Sequence, residues 1–188
     1  MGSLGLTAEP VVSNLHGKLI RLEKGDLTAL QVDALVFYAR EGLELGTGFG
    51  TAIQARGGAA IKEQLSKVGR IGMGEAVVTT AGSMQAHHIV HACGPKFQEP
   101  DREPKLRKTM RAALNAAASA GLTSIAFPPM GAGFYGIPLD LCTRVMIEEI
   151  SRFLAEASSV SEVIICALDM REFSAFQPKL EALSAARI

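Results

Sequence analysis

Ser124-Ile125-Ala126-Phe127-Pro128-Pro129-Met130-Gly131-Ala132-Gly133-Phe134-Tyr135-Gly136-Ile137-Pro138 decides the fold of this chain. Ser124 to Phe127 reads as a short buried strand. Pro128 to Ile137 is a loop holding three glycines. Pro138 then opens a helix to about Ala157, since proline suits the first helical turn. A strand that runs through a glycine loop into a helix is the repeating unit of an α/β domain. Outward from it the same alternation continues. Upstream, a helix opens at Pro104 and closes before Gly121. Downstream lie a strand over Glu162 to Leu168 and a helix from about Arg171 to Ala185. Toward the N-terminus, Lys18 to Glu23 alternates as a strand, and Val32 to Ala39 is almost wholly apolar, as a central strand covered on both faces would be. Helices are expected over Gly50 to Arg56 and Ala59 to Val68. Glu75 to Ala81 and His88 to Ala92 read as a hairpin, which makes the sheet mixed. The expected fold is α/β: a three-layer α/β/α sandwich with a mixed central sheet. Residues 1–16 read as a lead-in and 17–188 as a single domain.

The 188 residues are 48% apolar and 20% charged, the balance of a folded globule. Nineteen basic residues offset nineteen acidic ones. A neutral chain lacks the field that draws proteins to DNA or to anionic membranes, so nucleic acid is not an expected partner. No stretch has the apolar length of a membrane span. Met1 to Pro10 has no signal-peptide pattern, and Leu6 stands where a myristoylation motif wants Ser or Thr. Cys93, Cys142 and Cys166 lie in apolar segments without disulfide or zinc spacing, which suits a reducing, cytoplasmic location. No metal site or cofactor is expected. His87 and His91 share a strand face but lie about 13 Å apart, with His88 pointing the other way. Glu148 and Glu149 are adjacent on a helix and make no acid/base pair. The basic helix start Arg102, Lys105, Arg107, Lys108 and Arg111 reads as a solvated face, with an RNA or acidic-partner contact as the other option.

Two loops carry chemistry. Gly46-Thr47-Gly48-Phe49-Gly50 and Gly131-Ala132-Gly133-Phe134-Tyr135-Gly136 each lead from a strand into a helix. Glycine lets a ligand approach the main chain, and a helix N-terminus offers free N–H groups and partial positive charge to phosphate. Two such loops at neighbouring strand ends would clamp a diphosphate. The alternative is that the glycines only make tight turns. The second loop matches the dinucleotide G-x-G-x-x-G string but follows Pro128-Pro129 and lacks the strand-end acid that this fingerprint needs.

At these residues the chain resembles the macrodomain family, whose members bind ADP-ribose and in some cases hydrolyse its derivatives. The resemblance rests on Gly25-Asp26-Leu27-Thr28, Val32-Asp33-Ala34-Leu35-Val36, Ala52-Ile53 before Gly57-Gly58, and Gly74-Glu75-Ala76-Val77-Val78-Thr79. It continues through Ile89-Val90-His91-Ala92-Cys93-Gly94-Pro95 and the Ser124 to Pro138 stretch, covering about residues 17–183. It implies that Asp26, with Leu27 beside it, accepts a hydrogen bond from the adenine amino group. Asp26 also reads as a turn cap. It implies a diphosphate between Gly46, Thr47, Gly48, Phe49 and Gly50 on one side and Met130, Gly131, Ala132, Gly133, Phe134 and Tyr135 on the other. Tyr135 would pack on a ribose. Met130 equally reads as core filler. Phe173 either covers the adenine or belongs to the core.

Two departures bear on activity. Hydrolytic members carry Asn-Ala-Ala-Asn at the end of the second strand, where this chain has Phe37-Tyr38-Ala39-Arg40. The aspartate that follows the glycine run in active members falls at Gly50. Arg40 could pair with a phosphate, lie across the pocket or face solvent. The expected function is therefore binding of ADP-ribose, free or protein-attached, or of a related adenine nucleotide, with no catalytic residue assigned. The alternative is an ADP-ribosyl hydrolase or an ADP-ribose-phosphate phosphatase working through a phosphate-activated water. A third reading is a diverged RNA- or protein-contact domain.

Overall fold

The computed structural model describes residues 8–46 and 48–185. Its strands are β1 (Val11–Leu15), β2 (Lys18–Lys24), β3 (Ala34–Ala39), β4 (Ala76–Thr80), β5 (His88–Cys93), β6 (Ser124–Phe127) and β7 (Glu162–Ala167). Its helices are α1 (Phe49–Gly57), α2 (Ala59–Val68), α3 (Arg102–Ser119), α4 (Leu139–Leu154) and α5 (Met170–Ala185), with a 3-10 turn over Leu27–Ala29. The strands form one sheet in the order β1-β2-β7-β6-β3-β5-β4. The five inner strands are parallel, and the edge strands β1 and β4 pair antiparallel with β2 and β5.

The expected three layers are present. Successive side chains of a strand point to opposite faces, and β3 shows this directly. Ala34, Val36 and Tyr38 enter the core that also holds Leu106 and Met110 of α3, Val145 and Ile150 of α4, and Phe176 and Leu180 of α5. Leu35, Phe37 and Ala39 enter the opposite core with Ile53 of α1 and Ile61 and Leu65 of α2. Being covered on both faces is why β3 is an unbroken apolar run.

One boundary differs from the expectation. Val11–Leu15, read as part of a lead-in over residues 1–16, is an edge strand of the sheet, in register from Val11 opposite Leu22 to Leu15 opposite Lys18. The link is His16-Gly17, both at positive φ (54° and 79°), as a two-residue hairpin turn of the primed type requires. Ser13 and Leu15 are buried while Val12 is half exposed, so the strand is held by tertiary partners rather than by a strong apolar pattern. Ser13 Oγ donates to the Leu180 carbonyl at 2.9 Å, tying β1 to α5.

Candidate functional site

The parallel strands β2, β7, β6 and β3 end on the same side of the sheet, where α/β sheets bind their ligands. There the loops after them enclose an open cavity of about 400 Å³. Its lining is drawn from the Gly25–Leu27 step after β2, from Cys166, Leu168 and Glu172 at the end of β7, from Pro128, Pro129, Gly131 and Gly133 to Tyr135 after β6, and from Phe37, Tyr38, Arg40, Glu44 to Gly46, Gly48 and Phe49 at the end of β3. Since β2 and β3 are separated by β7 and β6, Asp26 and Arg40 lie toward opposite ends of the cavity.

At the β2 end, Asp26 does what its turn-cap reading implied. Its Oδ1 accepts from the Thr28 amide at 2.9 Å and from the Thr28 hydroxyl at 2.6 Å, capping the 3-10 turn. Its Oδ2 accepts from Arg56 Nη2 at 2.9 Å. The Thr28 hydroxyl above all, with the Thr28 amide and Arg56 in support and burial opposing, holds the carboxyl below the usual carboxylate range. A carboxylate oxygen has two acceptor sites, so the half-exposed Oδ2 side keeps capacity for another donor. Glu172 also lines this end. Its Oε2 accepts from the Leu168 amide at 2.8 Å, while Asp169 Oδ1 accepts from the Glu172 amide at 2.8 Å and caps α5. Cys166 lies in the floor, its thiol pushed up to about 12 by burial and therefore neutral.

The middle of the cavity is main chain. Gly46 and Gly48 stand at positive φ before α1, whose N-terminus has no side-chain cap among the described residues. Opposite, the amides of Gly133, Phe134 and Tyr135 donate to no acceptor among the described residues. The bonds from the Gly136 amide to the Gly133 carbonyl (3.1 Å) and from the Ile137 amide to the Gly131 carbonyl (2.9 Å) fold this loop back on itself. Arg102 Nη1 pins it from α3 through the Gly136 carbonyl at 3.0 Å. Gly131 has φ +75°, and a Cβ there would fall 2.5 Å from Ile137 Cδ1 and 3.0 Å from Tyr38 Cε2. Glycine is required at that bend.

At the β3 end, Tyr38 stacks on Tyr135 with ring centroids 4.2 Å apart. The Tyr38 hydroxyl donates to the Pro95 carbonyl and is pushed far above its ordinary value by burial. Arg40 Nε donates to the Tyr135 hydroxyl at 3.4 Å, and the guanidinium lies 5.6 Å from the centroid of the exposed Phe134 ring. Glu44 lines the same end.

The cavity thus brings together Asp26, Leu27, Arg40, Gly46, Gly48, Phe49, Gly131, Gly133, Phe134 and Tyr135 from the expected set. Four others lie elsewhere. Phe173 is buried in the core between sheet and α5, because the helical turn that brings Glu172 to the cavity sends its neighbour inward. Met130 is buried beneath the loop, its amide against Met146 Sδ at 3.3 Å. Ala132 packs on the same core. Gly50 is buried within the first turn of α1. Thr47 lies outside the described residues. The sequence reading missed Tyr38, Glu44, Cys166, Leu168 and Glu172. Glu172 had a legible signal, since Asp169 followed three residues later by Glu after a central strand is a capping-box spacing.

The basic start of α3 is largely neutralised. Arg107 pairs with Glu103, Glu148 and Glu149, Arg111 with the buried Glu149, and Lys105 with Glu99. His91 is buried on Thr79 Oγ1 at 2.9 Å, and burial lowers its pKa to about 4.

Comparison with known proteins places these features in a family. The Macro domain family model matches residues 39–146. A macro domain-containing protein of Listeria monocytogenes is 38% identical over 158 residues, covering 80% of this chain and 90% of the relative. One from Cupriavidus necator is 31% identical over 172 residues, covering 88% and 99%. The structure of the Oceanobacillus iheyensis macrodomain with ADP superposes with a TM-score of 0.88 at 26% identity, covering 96% of this chain and 98% of that one. The Trypanosoma brucei macrodomain in complex with ADP-ribose gives 0.80 at 28% identity, covering 85% and 68%. With this fold, this strand-end cavity and these relatives, the chain belongs to the Macro domain family.

Proposed function

We propose that this protein binds ADP-ribose, free or attached to a protein, as a binding module. The observation that carries the reading is the cavity's division of labour. An acceptor, Asp26, stands at one end, and uncommitted main-chain donors from Gly133 to Tyr135 and the uncapped start of α1 stand at the centre. An adenine amino group donates and a diphosphate accepts, so the two halves match the two halves of the ligand. Similar chains whose structures contain ADP or ADP-ribose support the same assignment. A cytoplasmic location is supported by three buried, unpaired cysteines.

The binding-module reading is favoured over a hydrolase by the residues at two positions. Arg40 replaces the ribose-positioning asparagine of hydrolytic members, and Gly50 has no room for the aspartate. Loss of such positioning groups costs on the order of 100-fold in rate. Glu44, a carboxylate lining the cavity near Arg40, favours the hydrolase reading instead, because it is the one acid at the end where a distal ribose would lie.

Calorimetric titration with ADP-ribose, with ADP and AMP as controls, tests the assignment. ADP-ribose and ADP should bind and AMP should bind more weakly. No heat from any of the three at millimolar ligand refutes it. Release of ADP-ribose from a mono-ADP-ribosylated protein, abolished by Glu44→Gln, would replace the binding module with the hydrolase.

A further inference from the structure

We propose that Arg56, which is not part of the cavity lining, makes the β2 end of the cavity selective for a 6-aminopurine over a 6-oxopurine by fixing the one acceptor position that Asp26 leaves open. This rests on the nucleotide reading above and adds the origin of its base specificity.

The acceptor capacity of Asp26 is almost filled by the protein itself. A carboxylate has about four acceptor positions, two on each oxygen. Oδ1 takes the Thr28 amide at 2.9 Å and the Thr28 hydroxyl at 2.6 Å, which fills it. Oδ2 takes Arg56 Nη2 at 2.9 Å, which leaves one position. With a partner on each oxygen, the carboxylate plane cannot turn without breaking a charge-assisted bond. Where the open position points is therefore set by Arg56 as much as by Asp26.

Arg56 is delivered by a fixed element. It is the penultimate residue of α1, the helix whose start lines the cavity centre through Phe49. Ile53, one turn earlier, is fully buried. The Gly57 carbonyl accepts from the Ser83 amide at 3.1 Å, and a Cβ on Gly57 would fall 2.9 Å from the Ala81 carbonyl oxygen. The end of α1 thus lies directly against the turn between β4 and β5, and the guanidinium reaches Asp26 from a helix that cannot slide. The pair is half exposed, at 52% for Arg56 and 50% for Asp26, and pairs of that exposure contribute little to stability. Its consequence lies in orientation.

The chemistry of the base gives that orientation its meaning. The 6-amino group of adenine donates and matches a fixed acceptor. The 6-oxo group of hypoxanthine accepts, and a carboxylate held in place repels it. The N1–H of hypoxanthine is the nearest donor, and only a carboxylate free to turn can follow it. Glu172 is the rival acceptor at this end, with Oε2 already on the Leu168 amide.

The test is calorimetry with ADP and IDP. The proteins are wild type, Arg56→Gln, Arg56→Lys, Asp26→Ala and the double variant of Asp26→Ala with Arg56→Gln, each with a melting curve as a folding control. Wild type should prefer ADP by about tenfold or more, as expected of a site built for one hydrogen-bonding group and offered another. Arg56→Gln should bind ADP about three- to tenfold more weakly and IDP no worse, so that the ratio falls at a nearly unchanged melting temperature. Arg56→Lys, which restores a cation without the planar fork, should recover part of the ratio. In the Asp26→Ala background Arg56→Gln should change neither ligand, because Arg56 acts through Asp26. The proposal fails if wild type does not distinguish ADP from IDP, if Arg56→Gln weakens both by the same factor or neither, if Arg56→Lys recovers nothing, or if Arg56→Gln still lowers the ratio without Asp26. A preference for ADP that survives the double variant overturns it too, and assigns the amino group to Glu172. In each of these cases ADP still binds wild type, and the nucleotide reading stands. If neither ligand binds wild type, that underlying reading falls and the proposal with it.

Discussion

A Cβ on Gly50 would fall 1.5 Å from the carbonyl oxygen of Leu45 and 2.4 Å from its carbonyl carbon. Backbone, not a flexible side chain, occupies that space. The loop leaving β3 therefore turns into α1 only because residue 50 has no side chain. The ligand cavity is lined by the neighbouring Gly48 and Phe49, not by Gly50. Gly50 is a packing requirement of this chain's loop.

It follows that Arg40→Asn with Gly50→Asp will not install hydrolase activity. Gly50→Ala alone should cost about 2–3 kcal/mol through overpacking. For a chain of this size that lowers the melting temperature by roughly 5–10 °C. Thermal unfolding of Gly50→Ala measures it, and an unchanged melting temperature would show that the Leu45 segment can move aside.

Gly133 behaves oppositely. Its φ is not in the left-handed region, and a Cβ there meets nothing within 4 Å. Gly133→Ala should fold and bind ADP-ribose like wild type. Gly133→Glu should fold equally well by circular dichroism but lose binding, because an anion would project beside the free amides of the loop. Wild-type affinity in the glutamate variant would remove this loop from the phosphate site.

Asp26→Ala should weaken adenine ligands by roughly 1.5–3 kcal/mol, the cost of losing a charged acceptor. It should also remove about 1 kcal/mol of stability with the turn cap. Ribose 5-phosphate, tested by competition, should lose little, and equal losses for both ligands would show that the turn, not the carboxylate, matters. The carboxyl is held below its ordinary range, so the folded state favours the ionised form. Its contribution is complete above the unfolded value of about 3.9 and disappears as pH falls through the lower folded value. The group is half exposed, so screening keeps this contribution small. The melting difference between wild type and Asp26→Asn should persist from neutral pH to about pH 5 and shrink below pH 4.

Phe173→Ala should act on stability, not on adenine recognition. The ring is 2% exposed and packs in the core under α5. Truncation should cost about 3–5 kcal/mol, read by urea denaturation. The folded fraction should bind ADP-ribose with near wild-type affinity. A selective loss of adenine ligands at unchanged stability would return Phe173 to the site.

Saturating ADP-ribose should raise the melting temperature. Ligand at 100 times its dissociation constant adds about 2.7 kcal/mol, which at this chain length is roughly 5–10 °C. Differential scanning fluorimetry with ADP-ribose and with ribose 5-phosphate separates nucleotide binding from general anion effects.

Local pattern was enough to set the layers and to place the cavity at the strand ends. β3, β6 and β7 are short apolar runs because both faces of each are covered, and that composition is local. The glycine loops after β3 and β6 and the Gly25-Asp26 step after β2 were legible for the same reason, since strand-to-helix turns need small residues at fixed offsets. Long-range packing set the rest. β1 was hidden because its pairing with β2 and α5, rather than its own pattern, holds it in the sheet. Glu172 and Phe173 are neighbours in the chain, and only the rotation of α5 against β7 sends one to the cavity and the other to the core. Gly48 and Gly50 look alike in sequence, but the path of the Leu45 carbonyl makes one a lining residue and the other a packing contact. Arg40 had three open roles until the stack of Tyr38 on Tyr135 and the exposed Phe134 ring fixed where its guanidinium lies. Periodicity and turn chemistry act over a few residues, whereas the use of a side chain in the site depends on what distant segments bring beside it.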